Sequence, residues 1–389
     1  MSSQKQQFKG NSDREDFHLL PAYFGLASST EGMHFTVGKG QTRDGSVVDA
    51  DSIFRIASLT KILTSIAIMQ LVEQGRLGLD DRVDRYLKPI SAAMVLDTNP
   101  DGTKRLRPPA RPITVRHLLT HTAGFAYDFT DQNARASNDD SGLIDSTPRL
   151  MFDPGERWLY GSNTEWLGHL LEAVTNSTLD AYFRTNITQP LDMPDTDFNV
   201  REDRIGALVD VYHLSEPFRL AKDERSEITS NPPVGDGGLF STGRDFIKVL
   251  SLFLGQRDSS GSGVLSAETL DYMCRDQLGS LPVRAIKSAL PAYSHDFTFI
   301  DEAVDKWSLA FLITARRRQR YARAAGSLSW GGALNTHIWI DQTEGIAGLF
   351  FAQILPFANP VALAALNSFE SDSYAAMTSP RAAQTDIQS

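Results

Sequence analysis

Arg55-Ile56-Ala57-Ser58-Leu59-Thr60-Lys61, continued by Ile62-Leu63-Thr64-Ser65-Ile66-Ala67-Ile68-Met69, sets a Ser and a Lys three positions apart at the mouth of an apolar helix. Positions i and i+3 of a helix share a face, so the Lys amine can reach the Ser hydroxyl. A hydroxyl is a weak nucleophile until a neighbour takes its proton, and a Lys does that only with a lowered pKa. Burial lowers it, because desolvation disfavours the ammonium. The run from Ile62 to Val72 supplies such a setting. The helix N-terminus adds partial positive charge and free backbone N–H groups, which suit a developing oxyanion.

Alone, Ser-x-x-Lys is a weak signal, and its plain reading is an N-cap Ser with a solvated Lys one turn on. Four further stretches change that. Leu118-Leu119-Thr120-His121-Thr122-Ala123-Gly124 reads as helix, then turn. Asp153-Pro154-Gly155-Glu156-Arg157-Trp158-Leu159-Tyr160-Gly161-Ser162-Asn163 puts a Tyr in a turn before a helix. Asp236-Gly237-Gly238-Leu239-Phe240-Ser241-Thr242 leads into another helix, and Ser327-Leu328-Ser329-Trp330-Gly331-Gly332-Ala333 lies on or beside a strand.

The chain has 389 residues, 41% hydrophobic and 22% charged, an ordinary globular composition with length for a large core or two lobes. Its formal net charge of −10 favours neither nucleic acid nor an anionic membrane surface. Cys274 is the one cysteine, so no intrachain disulfide forms, which suits a reducing compartment. The first residues lack an apolar core of signal-peptide length, and no apolar run reaches membrane-span length. The expectation is a cytoplasmic protein.

Residues 1–16 are polar and read as a tail. Tyr23–Ala27 and Met33–Val37 flank a Gly-containing turn and predict a hairpin. Leu77–Val83 and Thr114–Leu119 read as short helices, Asn99–Gly102 as a turn, and Trp166, Leu167, Leu170, Leu171 and Val174 as the stripe of a longer helix. The stretch from Ser215 to Asp236 reads as a surface excursion. Trp307–Ile313, Asn335–Ile340 and Gly348–Ile354 predict an antiparallel meander, followed by a helix from Pro360 through Phe369. Strands at both ends with helices between predict an α/β lobe of residues 17–80 and 240–389, closed by both termini, with a mainly helical lobe, 81–239, inserted.

Taken in order, the five motifs resemble those of the class C β-lactamase-like serine hydrolases, which include β-lactamases, DD-peptidases, family VIII carboxylesterases and the lovastatin acyltransferase type. The wording of Ile56–Thr64, Asp153-Pro154-Gly155 and Trp330-Gly331-Gly332 is similar to the esterase and acyltransferase branch. The resemblance implies an antiparallel sheet flanked by helices with a helical insertion, and no cofactor or metal. It implies Ser58 as nucleophile, Lys61 as its partner, and Tyr160 as the Tyr that shares a proton with Lys61. Whether Lys61 or Tyr160 is the base stays open. The backbone N–H groups of Ser58 and Ala333 are the implied oxyanion hole, with Gly331 and Gly332 letting the strand approach.

Two departures bear on substrate. Where β-lactamases carry Lys-Thr-Gly, this chain has Trp330-Gly331-Gly332, so the cation that helps hold a substrate carboxylate there is gone. That favours neutral esters or thioesters with apolar acyl groups, and Trp330 and Tyr127 are candidate pocket walls. The Tyr motif reads Tyr160-Gly161-Ser162-Asn163, leaving Ser162 or Asn163 as the substrate contact. Taken singly, Tyr160 and Trp330 are ordinary core aromatics. His117 and His121 have a zinc-like spacing but lack the Glu of the zinc protease motif and a third ligand. No Gly-x-Ser-x-Gly elbow occurs. Arg316-Arg317-Arg318-Gln319-Arg320 is the one dense basic run; its plain reading is a solvated hairpin tip, and its functional reading is docking of an acyl carrier protein or coenzyme A donor. The expectation is a serine esterase or acyltransferase acting through an acyl-Ser58. A β-lactamase or D-amino-acid peptidase, or a non-catalytic binding protein on the same scaffold, are the alternatives.

Overall fold

The computed structural model describes residues 7–9, 19–99, 103–139, 147–215, 219–223, 228–255, 263–297 and 304–378. Its centre is an eight-stranded sheet made from both ends of the chain. The N-terminal part gives β1 (Gln7–Lys9), β2 (Tyr23–Ser29) and β3 (His34–Lys39). The C-terminal part gives β4 (Lys306–Trp307), β5 (Leu312–Ile313), β6 (Leu328–Gly332), β7 (Thr336–Asp341) and β8 (Ile346–Ala352), in the order β1-β3-β2-β8-β7-β6-β5-β4. All pairs are antiparallel except β1 with β3. β2 and β8 are buried along their whole length, because helices cover both faces.

Five helices position the site: α1 (Thr60–Glu73), α2 (Val115–Leu119), α3 (Asn163–Thr175), α4 (Gly243–Leu252) and α5 (Pro360–Thr378). α1 is apolar all round rather than amphipathic, and every residue from Thr60 to Leu71 is buried. It packs against α3, while α4 covers β2 and β8 on one face and α5 covers β2, β3 and β8 on the other. One core cluster runs from the sheet through α1 into the helices, joining Phe24, Ile62, Leu167 and Leu349. A second lies beneath α5, around Tyr23, Trp339, Phe350 and Phe369. No helix among the described residues is long and apolar enough to cross a membrane.

The hairpin, the meander strands expected around Asn335–Ile340 and Gly348–Ile354 (β7 and β8) and the helix of the Ser58 stretch lie where the sequence predicts them. Four expectations are corrected. Gln7–Lys9, within the stretch read as a tail, forms the edge strand β1; most of the rest of 1–16, and the Pro100–Gly102 part of the expected turn, lie outside the described residues. Trp307–Ile313 is not one strand but the tight β4–β5 hairpin, because the Ser308 hydroxyl accepts from the Ala310 and Phe311 amides and turns the chain. Leu77–Val83 is not a helix: the Asp81 carboxylate accepts from the Gly78 amide at 2.8 Å, and a 3-10 turn starts only at Val83. Finally, α5 continues nine residues past Phe369, to Thr378.

Candidate active site

Ser58 sits where an extended segment turns into α1. The strand Ile53–Arg55 pairs with Phe240–Thr242, and the Ile56 amide donates to Leu239 O. Ala57 then takes a left-handed conformation, φ +46°, costing roughly 1–2 kcal/mol for a residue with a Cβ. Neighbours hold that strain in place: the Thr60 hydroxyl donates to Ala57 O at 2.7 Å, and the Thr336 hydroxyl to Ile56 O at 3.1 Å. A 3-10 turn, Ala57–Leu59, carries Ser58 into the helix. The end of β6 lies against this turn. A Cβ on Gly332 would come within 2.4 Å of Ile56 O, so only a glycine lets the strand come this close.

Lys61 is 3% exposed. Its Nζ donates to Ser58 Oγ at 3.2 Å and to the Asp236 carbonyl at 2.6 Å. It also lies 5.1 Å from the Tyr160 ring centroid and 5.4 Å from that of Tyr127. Thr64, one turn on, donates to Gly235 O at 2.5 Å, so α1 grips the 235–236 loop at two successive points.

The two tyrosines differ. Tyr127 donates its hydroxyl to Asp236 Oδ2; burial, then the Asp236 carboxylate, push that phenol well above its ordinary range. It is therefore a fixed donor and not a base. The Tyr160 hydroxyl is shielded and has no hydrogen-bond partner among the described residues. Its ring packs edge-on to Trp330 at 4.9 Å and against His121 at 5.0 Å. Tyr160 thus meets Lys61 through its ring and not through its hydroxyl. His121, 1% exposed with φ +55°, is held neutral by burial and then by Lys61. Its Nδ1 lies 3.1 Å from Asn163 Nδ2.

A cavity of about 440 Å³ opens on this group. Of the residues singled out in the sequence it is lined by Ser58, Tyr127, Tyr160, Trp330, Gly331 and Ala333. Ser162 and Asn163, expected as substrate contacts, are not among the residues lining the cavity; Asn163 turns its side chain inward to His121. Gly332 is likewise behind the wall, against Ala57. Asp236, Tyr293, Phe297 and Phe357 line it too. Asp236 belongs to a quoted motif and ends the stretch read as a surface excursion. The three aromatics come from segments with no periodic signal.

The cavity runs along β6, whose pairing with β5 among the described residues is at Leu328 and Ser329. The basic run is divided. Arg317 pairs with Glu344, Arg320 lies over the Tyr321 ring at 5.1 Å, and Arg318 alone lines the cavity. His117 serves a capping box with Thr114 at the start of α2.

Comparison with known proteins agrees with this geometry. The family model described as Beta-lactamase matches residues 23–371. A lovastatin esterase of Penicillium rubens is 30% identical over 83% of this chain and 85% of its own length. A monacolin J acid methylbutanoyltransferase of Aspergillus terreus is 32% identical over 87% of this chain and 86% of its own. The solved structure of unliganded simvastatin synthase from Aspergillus terreus superposes with a TM-score of 0.79 at 28% identity, covering 93% of this chain and 95% of that one. The chain belongs to the beta-lactamase family, and within it stands with esterases and acyltransferases.

Proposed function

We propose that the protein is a serine esterase or acyltransferase that works through an acyl-Ser58 on small-molecule esters or thioesters. The observation that carries this reading is the Lys61 amine, buried between Ser58 Oγ and the Asp236 carbonyl, two residues that line the cavity. Ser58 Oγ attacks the substrate carbonyl, and its proton passes to the Lys61–Tyr160 pair. The backbone N–H groups of Ser58 and Ala333, both lining the cavity, face the oxyanion. The leaving alcohol or thiol takes the proton back. Water or an alcohol then deacylates Ser58 by the reverse route, with Tyr160 on the proton path.

Trp330 at the position of the β-lactamase Lys counts against a β-lactamase or D-amino-acid peptidase, and the retained Ser58, Lys61 and Tyr160 count against a purely binding protein. The named relatives act on lovastatin and monacolin J acid, which supports an apolar molecule bearing an ester or a free hydroxyl. An acyl-coenzyme A or acyl carrier protein is the donor we propose. Docking through the whole Arg316–Arg320 run is weakened by the pairing of Arg317. Such donors and the free Cys274 support a cytoplasmic setting.

Intact-mass measurement after mixing with butyryl thioester tests the reading. An added butyryl mass on the wild type, absent in Ser58→Ala, is the expected result. An unchanged wild-type mass with thioester, nitrophenyl ester and cephalosporin alike, and no turnover, would sink it.

A further inference from the structure

The cavity has a second wing that the reaction at Ser58 does not use. Trp330 faces Tyr160 and Trp307, so Gly331, the next residue of β6, faces the other side of the sheet. There it is paired with His337 of β7, and a Cβ on Gly331 would stand 2.9 Å from His337 Nδ1. The cavity is therefore lined from both faces of β6. Its far wing is lined by Thr314, Arg318, Arg323, His337, Asn367 and Glu370.

Two polar atoms in this wing lack a hydrogen-bond partner among the described residues, and a guanidinium stands beside them. Thr314, 1% exposed, has a shielded hydroxyl with no hydrogen bond among the described residues, and His337 Nε2 is in the same state. Arg318 forms no salt bridge among the described residues, whereas Arg323 close by is engaged: its Nε, Nη2 and backbone N–H all donate to Glu370, at 3.1, 2.6 and 3.0 Å. Glu370 and Asp305 attract Arg318 electrostatically, but neither offsets the burial and the Arg323 charge. Burial and then the positive Arg323 make the charged state of Arg318 less favourable than in water, a condition that an anion reverses. His337, pushed down to about 3 by burial and then by Arg323, is neutral and brings an N–H donor or an acceptor rather than a charge.

We propose that Arg318, Thr314 and His337 form a subsite for a carboxylate carried by the substrate at the end remote from its reacting ester or hydroxyl. A guanidinium fork, one hydroxyl and one imidazole N–H match the lone pairs of a single carboxylate. The apolar stretch between the wings, walled by Phe297, Phe357 and Leu366, takes the hydrocarbon body. The cation missing at Trp330 is thus replaced by one on the other side of the strand. The inference deepens the acyl-Ser58 reading and rests on it for its meaning, but it is a statement about binding and is tested without turnover.

The test uses Ser58→Ala protein and calorimetric titration with monomethyl and dimethyl esters of glutaric, suberic and sebacic acid. At one chain length the half-ester binds about 10-fold or more tightly than the diester. Adding Arg318→Gln brings that ratio to about 1, Arg318→Lys retains part of it, and Thr314→Val lowers it a few-fold. Arg320→Gln, outside the cavity, leaves it at the starting value. A ratio near 1 at every length in Ser58→Ala, or one that survives Arg318→Gln, overturns the proposal. A second arm compares butyryl-coenzyme A with the butyryl thioester of N-acetylcysteamine, which lacks phosphate. If Arg318→Gln abolishes a coenzyme A preference and no acid preference exists, the anion read is the donor phosphate and the carboxylate assignment fails. A missing acyl adduct on wild-type Ser58 beside an intact acid preference would instead remove the catalytic reading alone.

Discussion

Asp236 does two things at once: its carbonyl accepts from Lys61 Nζ, and its carboxylate accepts from Tyr127. Removing the carboxylate strands a buried phenol, which costs about 1–3 kcal/mol and frees the loop that positions the amine. Asp236→Ala is expected to lower kcat by about 10- to 100-fold, since small misplacements of a catalytic group have large effects. Asp236→Asn, which keeps an acceptor oxygen, should recover most of that. Equal activity of the two variants would dissociate the side chain from Lys61. Tyr160→Phe keeps the ring contact with Lys61 and loses only the hydroxyl. A fall in kcat of about 10²–10⁴-fold is expected if that hydroxyl moves a proton. Tyr127→Phe should fall far less, because its hydroxyl is a structural donor. Nitrophenyl butyrate kinetics on the three proteins decide the order, and a Tyr127→Phe loss as large as that of Tyr160→Phe would reverse the assignment.

At the scale of elements, the nucleophile turn and β6 depend on one close approach. Gly332→Val puts branched carbon atoms where even a Cβ meets Thr336 Oγ1 at 2.3 Å and Ile56 O at 2.4 Å, so strand and turn must part. We expect an unfolding loss of about 1–3 kcal/mol by denaturant titration, with little acyl-Ser58 formed by the folded fraction. Wild-type acylation in this variant would show that the approach is dispensable. Such elements were legible in the sequence to different degrees. α1, β7 and β8 announced themselves because long apolar runs and alternation are local signals. The Ser58, Lys61 and Tyr160 motifs were readable as an ordered set, and the structure puts their side chains in one group. The β4–β5 turn was hidden because Ser308 lies inside an apolar run, and its effect depends on where its hydroxyl points. The contact of Asn163 with His121 was hidden for a similar reason: only the fold brings the two side chains together. The wing around Arg318 and His337 joins β7, the segment after β5 and α5, a juxtaposition no short stretch of sequence encodes.

For the whole molecule, the burial that builds the site also sets its acid limit. His121 is packed among Tyr160, Trp158 and Trp307, with Lys61 near by, and its folded pKa lies well below the ordinary 6.5. A depressed histidine is neutral when folded and takes up a proton when unfolded. Its contribution is therefore fully present above pH 6.5 and declines as pH falls from there toward the folded pKa. In that window each such group costs roughly 1.4 kcal/mol per pH unit. His337 acts in the same direction over the interval from 6.5 down to about 3. Glu370 adds a later loss: burial raises its pKa, but Arg323 more than reverses this, so it ends below 4.5 and its stabilisation disappears only as pH falls below that value. Thermal unfolding should thus be nearly flat from pH 8 to 7 and fall progressively below 6.5, long before carboxylates titrate. His337→Gln, which carries no titrating group, should reduce the slope between pH 6.5 and 5 while the part due to His121 remains. A flat profile down to pH 5 would mean that the unfolded chain binds no more protons at these rings than the folded one, and so that they are charged and solvated in the folded protein.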